Sequence, residues 1–295
     1  MAGAAAGALA LAAAGAAGGA TPAVELFYQR ALMSAAGAAC RLFAPDVAGA
    51  LAASKAQARG AALRSGVAAG DLAMLEQRAQ VAAGTAGCAS PDIAAGAERV
   101  RAAFVGYAHL DRMDFPGELS RWSAVRPAAD GGAHWAVSQQ GRFGWDQLQF
   151  GVVSHGAGRP LMAVASFADG AAPSSARLVM RDAAETSGPY LDPRVADLAG
   201  RVPIDGRLPP RSATRVFAAE AMSPAGADLR APGMADAWAF RFPAAAAEAL
   251  AGLDPREAVA VEFTIPGDDG DTVRTAYLEV GDFAAARAFA SIAQR

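Results

Sequence analysis

The chain is short of most of the residues that carry chemistry. Among its 295 residues there are two cysteines, three histidines, four tyrosines and a single lysine, Lys55. Charged residues are 19% of the total, below the usual ~25%. The formal net charge of −3 leaves no basic field for nucleic acid or anionic lipid, so those partners are not expected. No Cys-x-x-Cys pair is present, which removes the common redox and zinc motifs. No G-x-S-x-G elbow occurs, and "GRFG" and "GAGRP" do not sit between a strand and a helix as phosphate loops do. Past residue 20 no run of ~18 apolar residues suggests a membrane span. Alanine, by contrast, fills more than a quarter of the chain. Such a bias blurs hydrophobic patterns, because alanine suits core and surface alike.

The first twenty residues, "MAGAAAGALALAAAGAAGGA", carry no charge and end in small residues. They read as a secretory signal peptide (residues 1–20) with cleavage near Ala20. The run lacks a basic start, and only Leu9 and Leu11 strengthen its apolar stretch. A disordered Ala/Gly leader is the competing reading.

Residues 22–115 carry a helical period. Leu26, Met33 and Cys40 recur every seven residues, with Ala36 and Phe43 on the same stripe. Val47, Leu51, Ala58 and Ala62 form a second stripe after Pro45. Asp71 can cap a third helix bearing Leu72, Leu75 and Ala79. Ser90, Pro91 and Asp92 suit the N-cap, first position and dipole of a fourth, along which Ile93, Ala97, Val100, Phe104 and Tyr107 follow. Short connections predict an antiparallel helical bundle.

Residues 130–295 carry the β signal. Phe143, Trp145, Leu148, Phe150 and Val152 lie in one long run. "PLMAVASFA" and "ARLVMRD" follow around "DGAAPSS", a gap suited to a hairpin. "ATRVFAAEA" is a further strand, reached by a long Pro/Gly/Asp-rich surface connection. Trp238, Phe240 and Phe242 alternate with Ala239 and Arg241. Pro243 opens a short helix, Val259 to Ile265 alternate, "PGDDGD" makes a hairpin turn, and Gly281 and Asp282 cap a closing helix. The fold class expected is α+β: a helical bundle followed by a mostly antiparallel β-sheet or sandwich with short flanking helices.

The β half resembles the invasion-associated locus B family of bacterial envelope proteins. The resemblance rests on "WAVSQ", "LMAVASFA", "ARLVMRD" and the closing run "AWAFRFPAAAAEALAGLDPREAVAVEFTIPGDDGDTVRTAYLEVGDFAAARAF". Two features depart from it: Asp282 separates Gly281 from Phe283, and no cysteine follows Cys88. The resemblance implies a small β-rich periplasmic domain with no catalytic residues, and it does not reach the helical half.

Cys40 and Cys88 stand 48 positions apart. The end of the first helix and the start of the fourth can meet in an antiparallel bundle, and in an oxidising compartment the pair is expected as a disulfide, worth ~4 kcal/mol for a loop of this size. Buried free thiols or a functional thiol are the alternatives. "HLDRMD" groups His109, Asp111 and Asp114, which reads as a metal set or as a solvated helix end. His134, His155 and Ser154 form a hydrolase site only if the fold joins them. "GDDGD" lacks the ligand spacing of a calcium loop. Trp122, Trp135, Trp145 and Trp238 are either packing residues or part of an exposed aromatic groove for a peptide or glycan. Arg142, Arg177, Arg181 and Arg215 lie on or beside strands and face either a shared ligand or solvent. Trp135, Trp145, Arg142 and Arg177 are the candidate ligand-binding set. No cofactor and no metal is implied. The expected function is non-enzymatic binding of an envelope protein or cell-wall component by a periplasmic or secreted protein. A dispersed Ser/His hydrolase and an oligomeric scaffold are the alternatives.

Overall fold

The computed structural model describes residues 22–126, 133–154, 158–197 and 201–292. The leader read as a signal peptide and His155 lie outside the described residues. Four helices come first: α1 (Pro22–Cys40), α2 (Pro45–Arg64), α3 (Ala69–Ala86) and α4 (Pro91–Ala108). Two antiparallel sheets follow, so the class is α+β. The larger sheet runs in the order β1 (Arg112–Pro116), β2 (Arg121–Val125), β3 (His134–Phe143), β4 (Asp146–Ser154), β5 (Leu161–Ser166), β9 (Trp238–Phe242), β8 (Ala221–Pro224). The smaller runs β11 (Thr272–Glu279), β10 (Ala258–Ile265), β6 (Ser175–Arg181), β7 (Thr214–Ala218). Two short helices, α5 (Ala244–Ala251) and α6 (Phe283–Ala290), complete the described chain.

The helical stripes land largely where their spacing puts them. Val47, Leu51, Ala58, Ala62, Leu72, Ala79, Ile93 and Ala97 are all buried. The first helix differs. Its buried side chains are Phe27, Ala31 and Ala36, while Leu26 is 40% exposed. Phe27 is the larger apolar group and takes the core; the Leu26/Met33 stripe is rotated away from it. Ser90 and Asp282 are the N-cap residues of α4 and α6, yet neither side chain makes the cap bond. For α3 the N-cap is Ala68, with Asp71 inside the first turn.

Cys40 and Cys88 form a disulfide, with their α-carbons 5.5 Å apart. Beside it, α1 ends in a Schellman turn. The Leu42 N–H donates to the Gly37 carbonyl, and Leu42 packs with Leu32 and Ala36. The left-handed position of this turn is held by Arg41, at φ 54°, where glycine is the usual occupant. Arg41→Gly is expected to raise the unfolding free energy by about 0.5–1 kcal/mol, measured by urea denaturation; a loss of stability would contradict the strain.

The two sheets share one core. Phe150, Phe240 and Phe242 of the larger sheet meet Val261 and Phe263 of the smaller, with Phe240 and Phe263 ring centroids 5.3 Å apart. At one end α6 inserts Phe283 and Phe289 against Trp122 and Phe115. The same helix also packs against α2, and Arg64 of α2 holds Asp282 by two hydrogen bonds of 2.6 and 2.9 Å. Burial pushes the Asp282 carboxyl up, against the pull of Arg64.

Three expectations need correction. The run from Phe143 to Val152 is not one strand but a two-residue hairpin, with Phe143 opposite Asp146. Gly144 takes φ 64° at the first turn position, the place a type II′ turn reserves for glycine. Second, "PLMAVASFA" and "ARLVMRD" do not form a hairpin: β5 pairs with β4 and β9, whereas β6 pairs with β10 and β7. The gap between them carries the chain across the core, and Phe167 is buried on the way. Third, Arg112–Pro116, inside the stretch read as helical, is a strand. Only Phe115 of β1 is buried, so the segment is too short and too polar for alternation to show.

Buried carboxylates set the geometry of the loops. Glu279, fully buried on β11, accepts backbone N–H bonds from Glu118, Leu119 and Ser120 at 2.6, 2.9 and 2.8 Å, and the Ser120 hydroxyl at 3.0 Å. The turn between β1 and β2 is thus wrapped around one carboxylate. Arg207, also buried, reaches Glu118 at 2.8 Å and the Arg256 carbonyl at 3.2 Å. Glu257 pairs bidentately with Arg181 at 2.6 and 2.9 Å. At the free edge of β11, the Gln139 side chain of β3 bonds both the N–H and the carbonyl of Glu279, each at 3.2 Å.

Candidate functional site

The hairpin between β3 and β4 carries Arg142, Gly144 and Trp145 at its tip. Trp145 stands on this tight turn and is 88% exposed. Isolated exposed leucines need no explanation, but a tryptophan standing free on a two-residue turn is unusual. Beneath it lies an open groove of about 640 Å³. Its walls include Arg142, Trp145, Asp169, Ile204, Arg274 and Tyr277.

The groove has a rigid floor. Arg274 of β11 donates to Asp146 at 3.0 Å and to Asp169, and lies 5.5 Å from the centre of the Phe167 ring. Asp146 also accepts from the Ala168 backbone at 2.9 Å, and so ties the hairpin to the crossing segment. The position of Arg274 is set by alternation: Arg274 faces Phe263 in the β10–β11 ladder, on the core side of the strand. Arg142, in contrast, is exposed and makes no side-chain hydrogen bond or ion pair among the described residues. The groove therefore offers a free guanidinium beside a free indole above a fixed acid–arginine cluster.

The Arg274 hydrogen bond, then the Ala171 backbone N–H, hold the Asp169 carboxyl down at about 2. A depressed carboxylate favours the folded arrangement above its ordinary value, and that preference is lost as the pH falls through the lowered one. The clamp is thus expected to stay closed at neutral pH and to release between about pH 4 and 2. Carboxyl NMR titration should place Asp169 near 2, rising part of the way to its ordinary value in Arg274→Met, which leaves the Ala171 N–H in place.

Of the four candidate ligand-binding residues, the groove unites Arg142 and Trp145. Trp135 lies elsewhere. Its indole N–H donates to the Leu229 carbonyl at 3.0 Å, and its ring packs on Val164, Met234 and Ala239 under the segment before β9. Arg177 pairs with Glu262 on the outer side of the smaller sheet. Trp122 is buried and bonds the Val280 carbonyl at 2.8 Å. Arg181 is buried against Glu257, and Arg215 lies over the Phe217 ring. Asp169, Arg274 and Tyr277 were not singled out from the sequence. The available signal was an arginine on the inward phase of "TVRTAYLEV".

The remaining chemical candidates separate. His109 ends α4 and is exposed, while Asp114 lies on β1 near Arg112 and Arg121 at 3.9 and 4.0 Å. No group of three His, Cys, Asp or Glu placed to hold a metal occurs among the described residues. "GDDGD" is the turn joining β10 and β11. One pair does converge: His134 and Ser154 face each other directly in the β3–β4 ladder. Ser154 is buried there. Among the described residues, no helix is long and apolar enough to cross a membrane. No protein-family model matches the chain, and no curated protein or solved structure matches it.

Proposed function

We propose that this chain is an exported, non-enzymatic binding protein of the cell envelope, and that the groove under Trp145 holds an anionic sugar chain of the cell wall. The observation that carries the reading is the pairing of a fully presented indole with an unpaired guanidinium on a rigid hairpin. An indole face stacks on a sugar ring, and a free arginine takes up a carboxylate. The disulfide and the alanine-rich leader support passage to an oxidising compartment. The resemblance of the β half to the invasion-associated locus B family supports an envelope setting.

The test is co-sedimentation of the disulfide-bonded chain with purified peptidoglycan. Trp145→Ala is expected to weaken binding roughly 30-fold, as for a contact worth about 2 kcal/mol. Arg142→Ala should lower affinity and its salt dependence together. Both variants should unfold within ~0.5 kcal/mol of the parent, because neither side chain is packed. Undiminished binding by Trp145→Ala would overturn the groove assignment, and no binding by the parent would overturn the ligand class.

The facing of His134 and Ser154 favours one second reading, a serine hydrolase. A fluorophosphonate adduct on Ser154 that disappears in His134→Ala would establish it. Absence of the adduct in the parent protein would remove it.

A further inference from the structure

Each sheet has two border strands. Gln139 engages the border of β11, and the short β1 and β8 each end in proline. The remaining border, β7, has neither device. Its pairing with β6 is bracketed by two bonds: the Asp182 N–H donates to the Ala213 carbonyl and the Ala219 N–H to the Ala176 carbonyl, each at 2.9 Å. Between them the register is regular, with Val179 opposite Val216 and Leu178 opposite Phe217. In an antiparallel ladder the residues that exchange hydrogen bonds with one neighbour alternate along the strand. Arg215 and Phe217 therefore turn their N–H and carbonyl groups toward β6, and Thr214, Val216 and Ala218 turn theirs outward. The Thr214 N–H is taken by the Arg211 carbonyl. The N–H groups of Val216 and Ala218, and all three outward carbonyls, meet no partner among the described residues.

The side chains along this edge are selective. Val216, on the outer face, is 50% exposed, and Ala218 is exposed. Arg215 shares the core-side phase with Phe217, its guanidinium carbon 4.9 Å from the ring centre. A charge at that position deters most incoming strands. Two further charges flank β7, Arg211 before it and Glu220 after it. Both are exposed, and neither side chain makes a hydrogen bond or ion pair among the described residues. Set antiparallel against itself about Val216, this strand is self-complementary. Val216 faces Val216 of the second copy, and the two exchange N–H and carbonyl. Each Ala218 N–H reaches the Thr214 carbonyl across the axis. Arg215 faces Phe217 of the second copy, a cation over a ring, instead of another arginine. The antiparallel sense also brings the Arg211 end of one strand to the Glu220 end of the other, so opposite charges meet at both ends. A parallel partner of the same sequence would set Arg215 beside Arg215.

From this match of register and charge we infer that β7 is the contact through which two copies of the chain pair, joining their smaller sheets across a two-fold axis. The pairing uses the same edge on both copies and so stops at the dimer. One strand pair is a small interface, and the dimer is accordingly weak and reversible.

Sedimentation velocity of the disulfide-bonded full chain, from about 1 μM to about 1 mM, reads the pairing across the range of weak affinities. The parent should pass from monomer to dimer and no further. Val216→Lys and Val216→Glu each set like charges face to face and should weaken the dimer roughly tenfold or more. An equimolar mixture of the two variants should pair again, because unlike charges then meet across the axis. Ala218→Pro removes an N–H that the β6 ladder does not use, and should weaken the dimer in the same way. Circular dichroism and the unfolding midpoint of all three variants should stay near those of the parent. A parent that remains monomeric over the whole range would overturn the inference. So would a dimer indifferent to Val216→Lys or to Ala218→Pro, a mixture that fails to pair, or growth beyond the dimer.

Discussion

Replacing Glu279 by alanine is expected to lower the unfolding free energy by about 3–5 kcal/mol, the range for removing one member of a buried, hydrogen-bonded charged set. The carboxylate is the acceptor for three successive N–H groups and a hydroxyl. The donors lie on a part-buried turn, and a donor left there without a partner costs up to about 1–3 kcal/mol. The loss also leaves Arg207 facing one fewer anion. Urea denaturation measures the total, and a coupling experiment isolates the cause. A Cβ added at Gly117 would run into the Glu279 carboxylate, so Gly117→Ala alone should be destabilising. On the Glu279→Ala background the same change should cost much less, because the group it strikes is gone. Additive effects would show that the turn does not depend on the carboxylate.

Removing the disulfide is the second large effect. Cys40→Ser with Cys88→Ser is expected to cost about 4 kcal/mol, the value for releasing a loop that spans 48 positions. The change should be localised. Hydrogen exchange should speed most in α1 and at the α3–α4 junction, where the bond anchors the ends, and least in β4 and β10, which are buried along most of their length. The protein purified and denatured without reductant should show no reactive thiol and, after reduction, two. A loss under ~1 kcal/mol would mean that helix packing alone holds α1 and α4 together.

Much of this architecture was legible in the residues. Valine, phenylalanine and isoleucine alternate from Val259 to Ile265, and period two on one apolar face leaves a strand few alternatives. Pro45 and Pro91 marked helix starts because a fixed φ and a missing N–H suit the first helical position, and Pro243 stands just before α5 as its N-cap residue. What stayed hidden depended on partners distant in sequence. Nothing local distinguishes Glu279, wrapped by a turn 160 positions away, from a solvated glutamate on an edge strand. The rotation of α1 was hidden for another reason: in an alanine-rich helix several faces are apolar enough, and Phe27 decides among them only once α2 and α3 are in place. At the groove, Arg142 and Trp145 were visible as residue types, while the hairpin that brings them together was masked by reading its two strands as one.

The amide of Gln139 has a consequence for how the protein tolerates crowding. It occupies the N–H and carbonyl of Glu279 that a foreign strand would otherwise seek. Other borders of the sheets are blunted differently: β1 ends in Pro116, and β8 is four residues long and ends in Pro224. Short length, proline and a covering side chain all frustrate strand addition. A β-rich chain is thereby steered away from edge-to-edge aggregation, and Gln139→Val should first show itself as fibril formation at high concentration.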